Sequence, residues 1–322
     1  MTLAEQALRH AQAGDVTRGR QLLETAPHDV DALALLANWY LVGAFLPRDI
    51  PRARGLLQNA AAIGHVDAAL MEFAFTANGS GGAADWPAAL RLLEAAAPGD
   101  VIAAEQLRLV RVMRLTADGG PPGQLQGRRL ATSPDVRLFP ALFSPAECGH
   151  VASVAGNLLE PSMIVDPATG TVRPDPVRTS DAAVIGPARE DLVVRALNRR
   201  IAVASATPIE NGEPLTVLRY VPGQQYRPHH DVLPCVANQR AWIMLVYLNE
   251  GYRGGETVFP ATGLNVRGRG GDGLLFANLD SDGDIDPQAR HAGLAVTAGA
   301  KWLCTRWIRQ RGHDAWGRDA AG

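Results

Sequence analysis

Cysteine is scarce in this chain. Its 322 residues hold three, Cys148, Cys235 and Cys304. An odd number at wide spacing excludes a disulfide framework and points to a reduced setting. Neither sign of charge is in excess: 31 Lys and Arg stand against 33 Asp and Glu, for a formal net charge of −2. The basic surplus of a general nucleic-acid binder is missing. No uninterrupted apolar run approaches the ~20 residues of a membrane span. The opening Met1-Thr2-Leu3-Ala4-Glu5 lacks the basic stretch and apolar core of a secretory leader. A cytoplasmic location is the expectation, with neither nucleic acid nor membrane as partner. Oligomeric state is left open.

What is present suffices for two cores, since length alone favours roughly two domains. Residues 1–115 are rich in Ala and Leu at helical spacing, and they repeat. Asp31-Ala32-Leu33 aligns with Asp67-Ala68-Ala69, and Asp49-Ile50-Pro51 with Asp85-Trp86-Pro87, both 36 residues apart. Gly64-His65-Val66-Asp67 recurs as Gly99-Asp100-Val101-Ile102 one residue sooner. Pro51 and Pro87 suit a first helical turn. A period in the mid-thirties with two helices per unit resembles tetratricopeptide or Sel1-like repeats. Such units bury their apolar faces only by stacking, so a short α-helical repeat solenoid is expected. It serves either to dock a protein or only to pack.

A Gly/Pro-rich linker follows over 116–130. Region 131–312 is the second domain, and 313–322 a tail. Ser144-Pro145-Ala146-Glu147 reads as a capped helix start, and a second helix is expected over 187–204. Short apolar strands then succeed one another at 215–221, 226–231, 240–248, 256–259, 273–278, 289–297 and 300–309. Many short strands separated by turn residues indicate a double-layered jelly roll and not a parallel α/β sheet.

The chemistry gathers in Tyr226-Arg227-Pro228-His229-His230-Asp231. A residue before proline is held extended, and on an extended chain side chains two apart share a face. His229 and Asp231 therefore lie together, and His230 points away. An imidazole beside a carboxylate is two thirds of the 2-His-1-carboxylate site that holds non-heme Fe(II) and leaves positions open for substrate and O2. His291 is the candidate third ligand. Ten residues beyond it, Lys301 opens a strand on which Lys301, Leu303, Thr305 and Trp307 share one face. The strand thus presents a cation for the far carboxylate of 2-oxoglutarate.

Region 131–310 resembles the catalytic domain of the prolyl 4-hydroxylase family of Fe(II)/2-oxoglutarate dioxygenases. The motifs that carry the resemblance are Phe143-Ser144-Pro145, Val177-Arg178-Thr179-Ser180, Leu218-Arg219-Tyr220, Tyr226-x2-His229-x-Asp231, Gly254-Gly255-Glu256-Thr257, His291-Ala292-Gly293 and Lys301-Trp302. The resemblance implies a double-stranded β-helix with iron on His229, Asp231 and His291, and the 2-oxoglutarate tail on Lys301. It places Tyr220 and Thr257 in the co-substrate pocket, and Tyr226, Arg240 and Trp307 toward a peptidyl proline. The implied reaction couples oxidative decarboxylation of 2-oxoglutarate to hydroxylation of an unactivated C–H, with ascorbate as the rescuing reductant. Two departures bear on the substrate. The loop from Asp231 to Arg240 is short, and Ile243 stands where the family has a hydroxyl residue.

Hydroxylation of a protein or peptide recruited by the repeats is the leading expectation. The alternatives are the same chemistry on a free amino acid or other small molecule, and a non-catalytic binding or oxygen-sensing protein. Other motifs carry no chemistry. Asp280-Ser281-Asp282-Gly283-Asp284 has its glycine at the fourth position of a calcium loop, where the sixth is needed. Arg267-Gly268-Arg269-Gly270-Gly271 has no helix after it to hold a phosphate. Cys148-Gly149-His150 is too short for a zinc site without partners.

Overall fold

The computed structural model describes residues 1–165 and 171–317. The tail expected over 313–322 falls outside the described residues beyond 317. Contacts divide the chain into two compact units, one of Met1–Gly119 with Pro187–Arg195, the other of Gly120–Gly186 with Ala196–Gly322.

The first unit begins with α1 (Leu3–Gln12), α2 (Val16–Glu24), α3 (Val30–Val42), α4 (Ile50–Ala62), α5 (Val66–Asn78), α6 (Trp86–Ala96) and α7 (Val101–Val112). The sequence repeat becomes a structural one. α3 and α5 begin and end 36 residues apart, and each stops at a left-handed glycine, Gly43 (φ 75°) and Gly79 (φ 82°). α4 and α6 start at the same offset, on the aspartate caps Asp49 and Asp85 with a proline in the first turn. A capping carboxylate satisfies a backbone N–H that the helix itself leaves orphaned. Neighbouring helices pack through small side chains, with Ala7, Ala32, Ala53, Ala60 and Ala89 wholly buried around Trp39, Phe75 and Leu93. At Gly19 a Cβ would lie 2.6 Å from the Ala7 carbonyl, so only glycine lets α2 approach α1 there. Between α4 and α5, Arg54 meets Glu72 at 2.8 Å with both nearly out of water, and Thr76 and Gln58 complete the shell.

The second unit carries α8 (Pro145–Gly156), the greater part of α9 (Leu192–Ser205) and sixteen strands among the described residues. The strands are β1 (Arg128–Thr132), β2 (Asp135–Phe139), β3 (Glu160–Pro161), β4 (Met163–Val165), β5 (Val172–Pro174), β6 (Asp181–Ile185), β7 (Leu215–Tyr220), β8 (Tyr226–His229), β9 (Arg240–Tyr247), β10 (Arg253–Gly254), β11 (Thr257–Phe259), β12 (Leu264–Val266), β13 (Gly273–Ala277), β14 (His291–Gly293), β15 (Val296–Ala298) and β16 (Lys301–Arg309). The capping box at Ser144 and Glu147 starts α8 as its sequence requires.

An eight-stranded sheet runs β1-β2-β13-β9-β16-β7-β6-β3, and a four-stranded one β12-β11-β14-β8. Every pairing is antiparallel. The large sheet is open, with β1 and β3 at its edges. One apolar core joins the two sheets, with Leu218, Leu245, Tyr247 and Leu303 from the larger and Phe259 and Val266 from the smaller.

Three elements differ from expectation. The stretch 289–297 is two strands, because the chain leaves β8 after Gly293 and pairs with β10 from Val296. The helix expected from Pro187 opens as a 3-10 turn (Pro187–Arg189), and α9 proper begins at Leu192, where Asp191 accepts the Val194 N–H at 2.8 Å. β8 ends at His229, so Asp231 stands just beyond the strand.

Candidate metal centre and adjoining cleft

The site grows from three strands. β14 pairs with β8 so that His291 faces His229 across the ladder, and their rings lie 4.3 Å apart at 58°. Asp231 closes the group, with Oδ1 3.6 Å from His229 Nε2 and Oδ2 3.5 Å from His291 Nε2. One donor atom from each residue falls within 4.8 Å of the others, and all three side chains are close to fully buried. Tyr226 stacks flat on His229, centroids 3.4 Å apart, and Phe276 meets His291 edge-on at 4.6 Å.

The hydrogen bonds decide the tautomers. His229 Nδ1 sits 2.8 Å from the Arg227 carbonyl, and His291 Nδ1 3.1 Å from that of Ala289. A carbonyl oxygen only accepts, so each Nδ1 carries the proton and each Nε2 keeps its lone pair for the carboxylate side. His229 Nε2 is buried without a hydrogen-bond partner among the described residues. Burial, then the neighbouring His291, pushes the His229 imidazole down to about 4 against the pull of Asp231, so it is neutral near pH 7. Burial alone would raise the Asp231 carboxyl, but His291, His229 and Arg240 outweigh it and the net shift is downward. Two imidazoles and one carboxylate, with an orphaned nitrogen at their centre among the described residues, are a donor set that suits Fe(II).

The triad opens on a cleft of about 400 Å³ including its mouth, and Lys301 lines the same cleft. β16 is hydrogen-bonded on both sides, to β7 and β9, which fixes the direction of its inward side chains. Lys301 is 2% exposed and donates to the Gly255 carbonyl at 2.6 Å. The Tyr220 and Tyr247 rings lie 5.6 and 5.5 Å from its Nζ. Burial lowers its ammonium to about 8, with Glu256 partly opposing. Gly255 has φ 73°, and a Cβ there would come within 3.1 Å of Lys301 Cδ, so glycine is what admits the lysine beside that carbonyl. Thr257 accepts from the Tyr247 hydroxyl at 3.0 Å, which leaves its own proton for the cleft. Leu218, Leu245 and Leu303 make the walls apolar.

Eight of the residues singled out from the sequence line this cleft together: His229, Asp231, His291, Lys301, Tyr220, Thr257, Tyr226 and Trp307. Arg240 is set apart from its lining. Its guanidinium makes two bonds to Glu213, at 2.8 and 2.7 Å, and lies 4.1 Å over the Trp307 ring. Sequence reasoning missed Glu213, which also binds Arg309; no local pattern marks a glutamate whose two arginines arrive from distant strands. Thr305 had been placed on the inward face of β16 without a role, and it lines the cleft.

Residues 215–309 match the 2OG-Fe(II) oxygenase superfamily. Prolyl 4-hydroxylase 1 of Arabidopsis thaliana is 35% identical over 208 residues, 59% of this chain and 74% of that protein. Among solved structures, the viral collagen prolyl hydroxylase of Paramecium Bursaria Chlorella virus-1, as its 2-oxoglutarate complex, is similar at 25% identity over 54% of this chain and 95% of that one, with a TM-score of 0.43. A Sel1 repeat protein of Oxalobacter formigenes is 25% identical over 33% of this chain and 85% of its own, with a TM-score of 0.29. With its buried His-Asp-His triad inside the matched region, the chain belongs to the prolyl 4-hydroxylase family and is an Fe(II)- and 2-oxoglutarate-dependent dioxygenase.

Proposed function

We propose that this dioxygenase hydroxylates prolyl residues of a protein or peptide. The observation that carries the proposal is one cleft lined by both a buried metal triad and a buried cation that has no carboxylate within contact among the described residues. His229 Nε2, His291 Nε2 and an Asp231 oxygen hold Fe(II). The metal, when bound, supplies O2 activation coupled to decarboxylation of 2-oxoglutarate to succinate and CO2. The chain's own residues bind, orient and exclude water. Lys301 takes the distal carboxylate of 2-oxoglutarate, Tyr220 and Thr257 flank its chain, and the leucine walls keep solvent out. Tyr226 and Trp307 receive the substrate at the metal end. Arg240, locked by Glu213, acts behind Trp307 as a support for its ring. Ascorbate serves as the reductant that restores oxidised iron.

The two sheets are the halves of a double-stranded β-helix, residues 131–312 of the chain. Residues 1–115 are tetratricopeptide or Sel1-like repeats that dock the protein substrate, joined through the Gly/Pro-rich stretch at 116–130. Succinate release measured against a panel of proline-containing peptides tests the substrate class, with mass spectrometry locating the added oxygen. Turnover of a free amino acid in preference to every peptide would reject it. A fragment starting near Gly127 tests the docking role. It should still bind iron and decarboxylate 2-oxoglutarate, yet lose one or more orders of magnitude of efficiency on the full protein target, because a tethered docking site raises the effective concentration. Equal efficiency of fragment and full chain would leave the repeats as packing only.

A further inference from the structure

A separate cavity lies within the helical unit, where α2, the end of α3, the turn over 43–49 and the first turn of α4 meet. It measures about 770 Å³ including its mouth and is lined by Arg20, Arg48, Arg52 and Tyr40 beside apolar Leu46 and Ile50. Arg48 has no carboxylate within contact among the described residues; its Nε donates to the Leu41 carbonyl at 3.0 Å. Arg20 and Arg52 share one acid, Glu24, at 3.9 and 3.1 Å, and Asp49 is engaged as the cap of α4. Three guanidiniums thus stand against two carboxylates. The Arg52 guanidinium lies 4.7 Å over the Tyr40 ring. Tyr40 is 5% exposed, lines the cavity, and has no hydrogen-bond partner for its hydroxyl among the described residues. A phenol so nearly buried takes its partner from whatever enters.

The internal repeat shows what a helix pair of this kind does not need. At the 36-residue offset the cap and proline return as Asp85 and Pro87, whereas Tyr40, Arg48 and Arg52 give way to Thr76, Ala84 and Ala88. The second pair keeps the same cap, proline and left-handed glycine without them. The cationic set is therefore no requirement of the repeat.

We propose that this cavity docks an acidic segment of the protein substrate. An Asp or Glu side chain of that segment meets Arg48 and Arg52 and accepts from the Tyr40 hydroxyl, and an adjoining apolar side chain rests on Leu46 and Ile50. A carboxylate is the group that planar guanidinium forks and a phenol donor satisfy together, and the apolar lining suits a peptide better than a bare anion. The inference rests on the docking role proposed for the repeats and gives it a place and a charge.

The test titrates the full-length Fe(II) protein, without O2, with a fluorescent proline-free peptide of alternating glutamate and leucine and with its glutamine counterpart. The glutamate peptide should bind about tenfold or more tightly than the glutamine one. Arg48→Gln and Arg52→Gln should each weaken it about three- to tenfold, as befits partly exposed charges. Arg111→Gln, an exposed arginine of α7 outside the cavity, should stay within about twofold of the parent. Tyr40→Phe keeps the ring and loses only the hydroxyl. It should bind about fivefold more weakly and melt at the parent's temperature, since no group of the protein loses a partner. Equal affinity for the two peptides, or an affinity that neither Arg48→Gln nor Tyr40→Phe moves, would overturn the proposal. So would inorganic phosphate binding as tightly as the glutamate peptide, which would mark a small-anion site. Turnover tests the docking role separately, with a proline peptide joined to the acidic segment by a long flexible linker. Arg48→Gln should raise its KM about three- to tenfold and leave kcat in place. Arginine-dependent binding with KM unmoved would keep the acidic-peptide site and reject its part in substrate docking.

Discussion

Lys301 is the only lysine in the chain, which makes the charge at the inner part of the cleft unusually easy to interrogate. Its ammonium is lowered by burial from 10.5 to about 8. On the proposed placement the distal carboxylate of 2-oxoglutarate requires the charged form, so binding should take up a proton once pH passes about 8. For a pKa near 8 the apparent dissociation constant rises about twofold at pH 8 and about tenfold at pH 9, then about tenfold per further unit until the complex itself titrates. Other buried groups stay silent in that window. His229 is held near 4, Cys148 is pushed up to about 12, and Tyr220 likewise to about 12.

Stability carries the opposite sign. Between about 8 and 10.5 the unfolded chain binds a proton that the folded one has released, so the metal-free protein gains stability as pH rises through that window. Lys301→Met removes the buried charge and should stabilise the metal-free protein near pH 7 by up to about 3 kcal/mol. The same variant loses a charge-assisted contact of about 1.5–3 kcal/mol, about ten- to a hundredfold in 2-oxoglutarate affinity. The assay is calorimetric titration of the Fe(II) protein without O2 from pH 7 to 9.5, in buffers of different ionisation enthalpy so that proton uptake is read directly. A dissociation constant that stays flat to pH 9 in the parent, or a slope that survives in Lys301→Met, would refute the assignment. Amine-directed labelling supplies an independent reading. Apart from the N-terminus a single site exists, and 2-oxoglutarate should protect it.

His229→Ala, Asp231→Ala and His291→Ala should each abolish Fe(II) binding in equilibrium dialysis, because two protein ligands do not hold the ion. His230→Ala should retain most of it; a dead His230→Ala beside an active His229→Ala would mean that the β8 register is misassigned. In the helical unit, Arg54→Ala strands Glu72, only 7% exposed, without its cation. The expected loss is about 3–5 kcal/mol, read by thermal or urea denaturation. An Arg54→Ala protein within 1 kcal/mol of the parent, on the order of a surface pair, would show that water reaches the carboxylate.

Much of the site was legible before any coordinates. The pairing of His229 with Asp231 follows from local stereochemistry, since proline holds the preceding residues extended and alternate side chains then share a face. The inward set Lys301, Leu303, Thr305 and Trp307 follows from strand period alone. The 36-residue offset of α3 and α5 is likewise a matter of caps and periodicity, local signals that each stretch of chain carries by itself. Tertiary structure decided what depends on partners far apart in sequence. It put His291 opposite His229, because β14 and β8 are neighbours in the smaller sheet although some sixty residues separate them in the chain. It cut 289–297 into two strands by offering each half a different partner. It drew Arg240 onto Glu213, since a buried guanidinium must find a carboxylate, and only the folded sheet could say which one. Finally it left the Thr305 hydroxyl without a hydrogen-bond partner among the described residues. Satisfaction of a hydroxyl is a property of everything around it, and no spacing in a sequence records that.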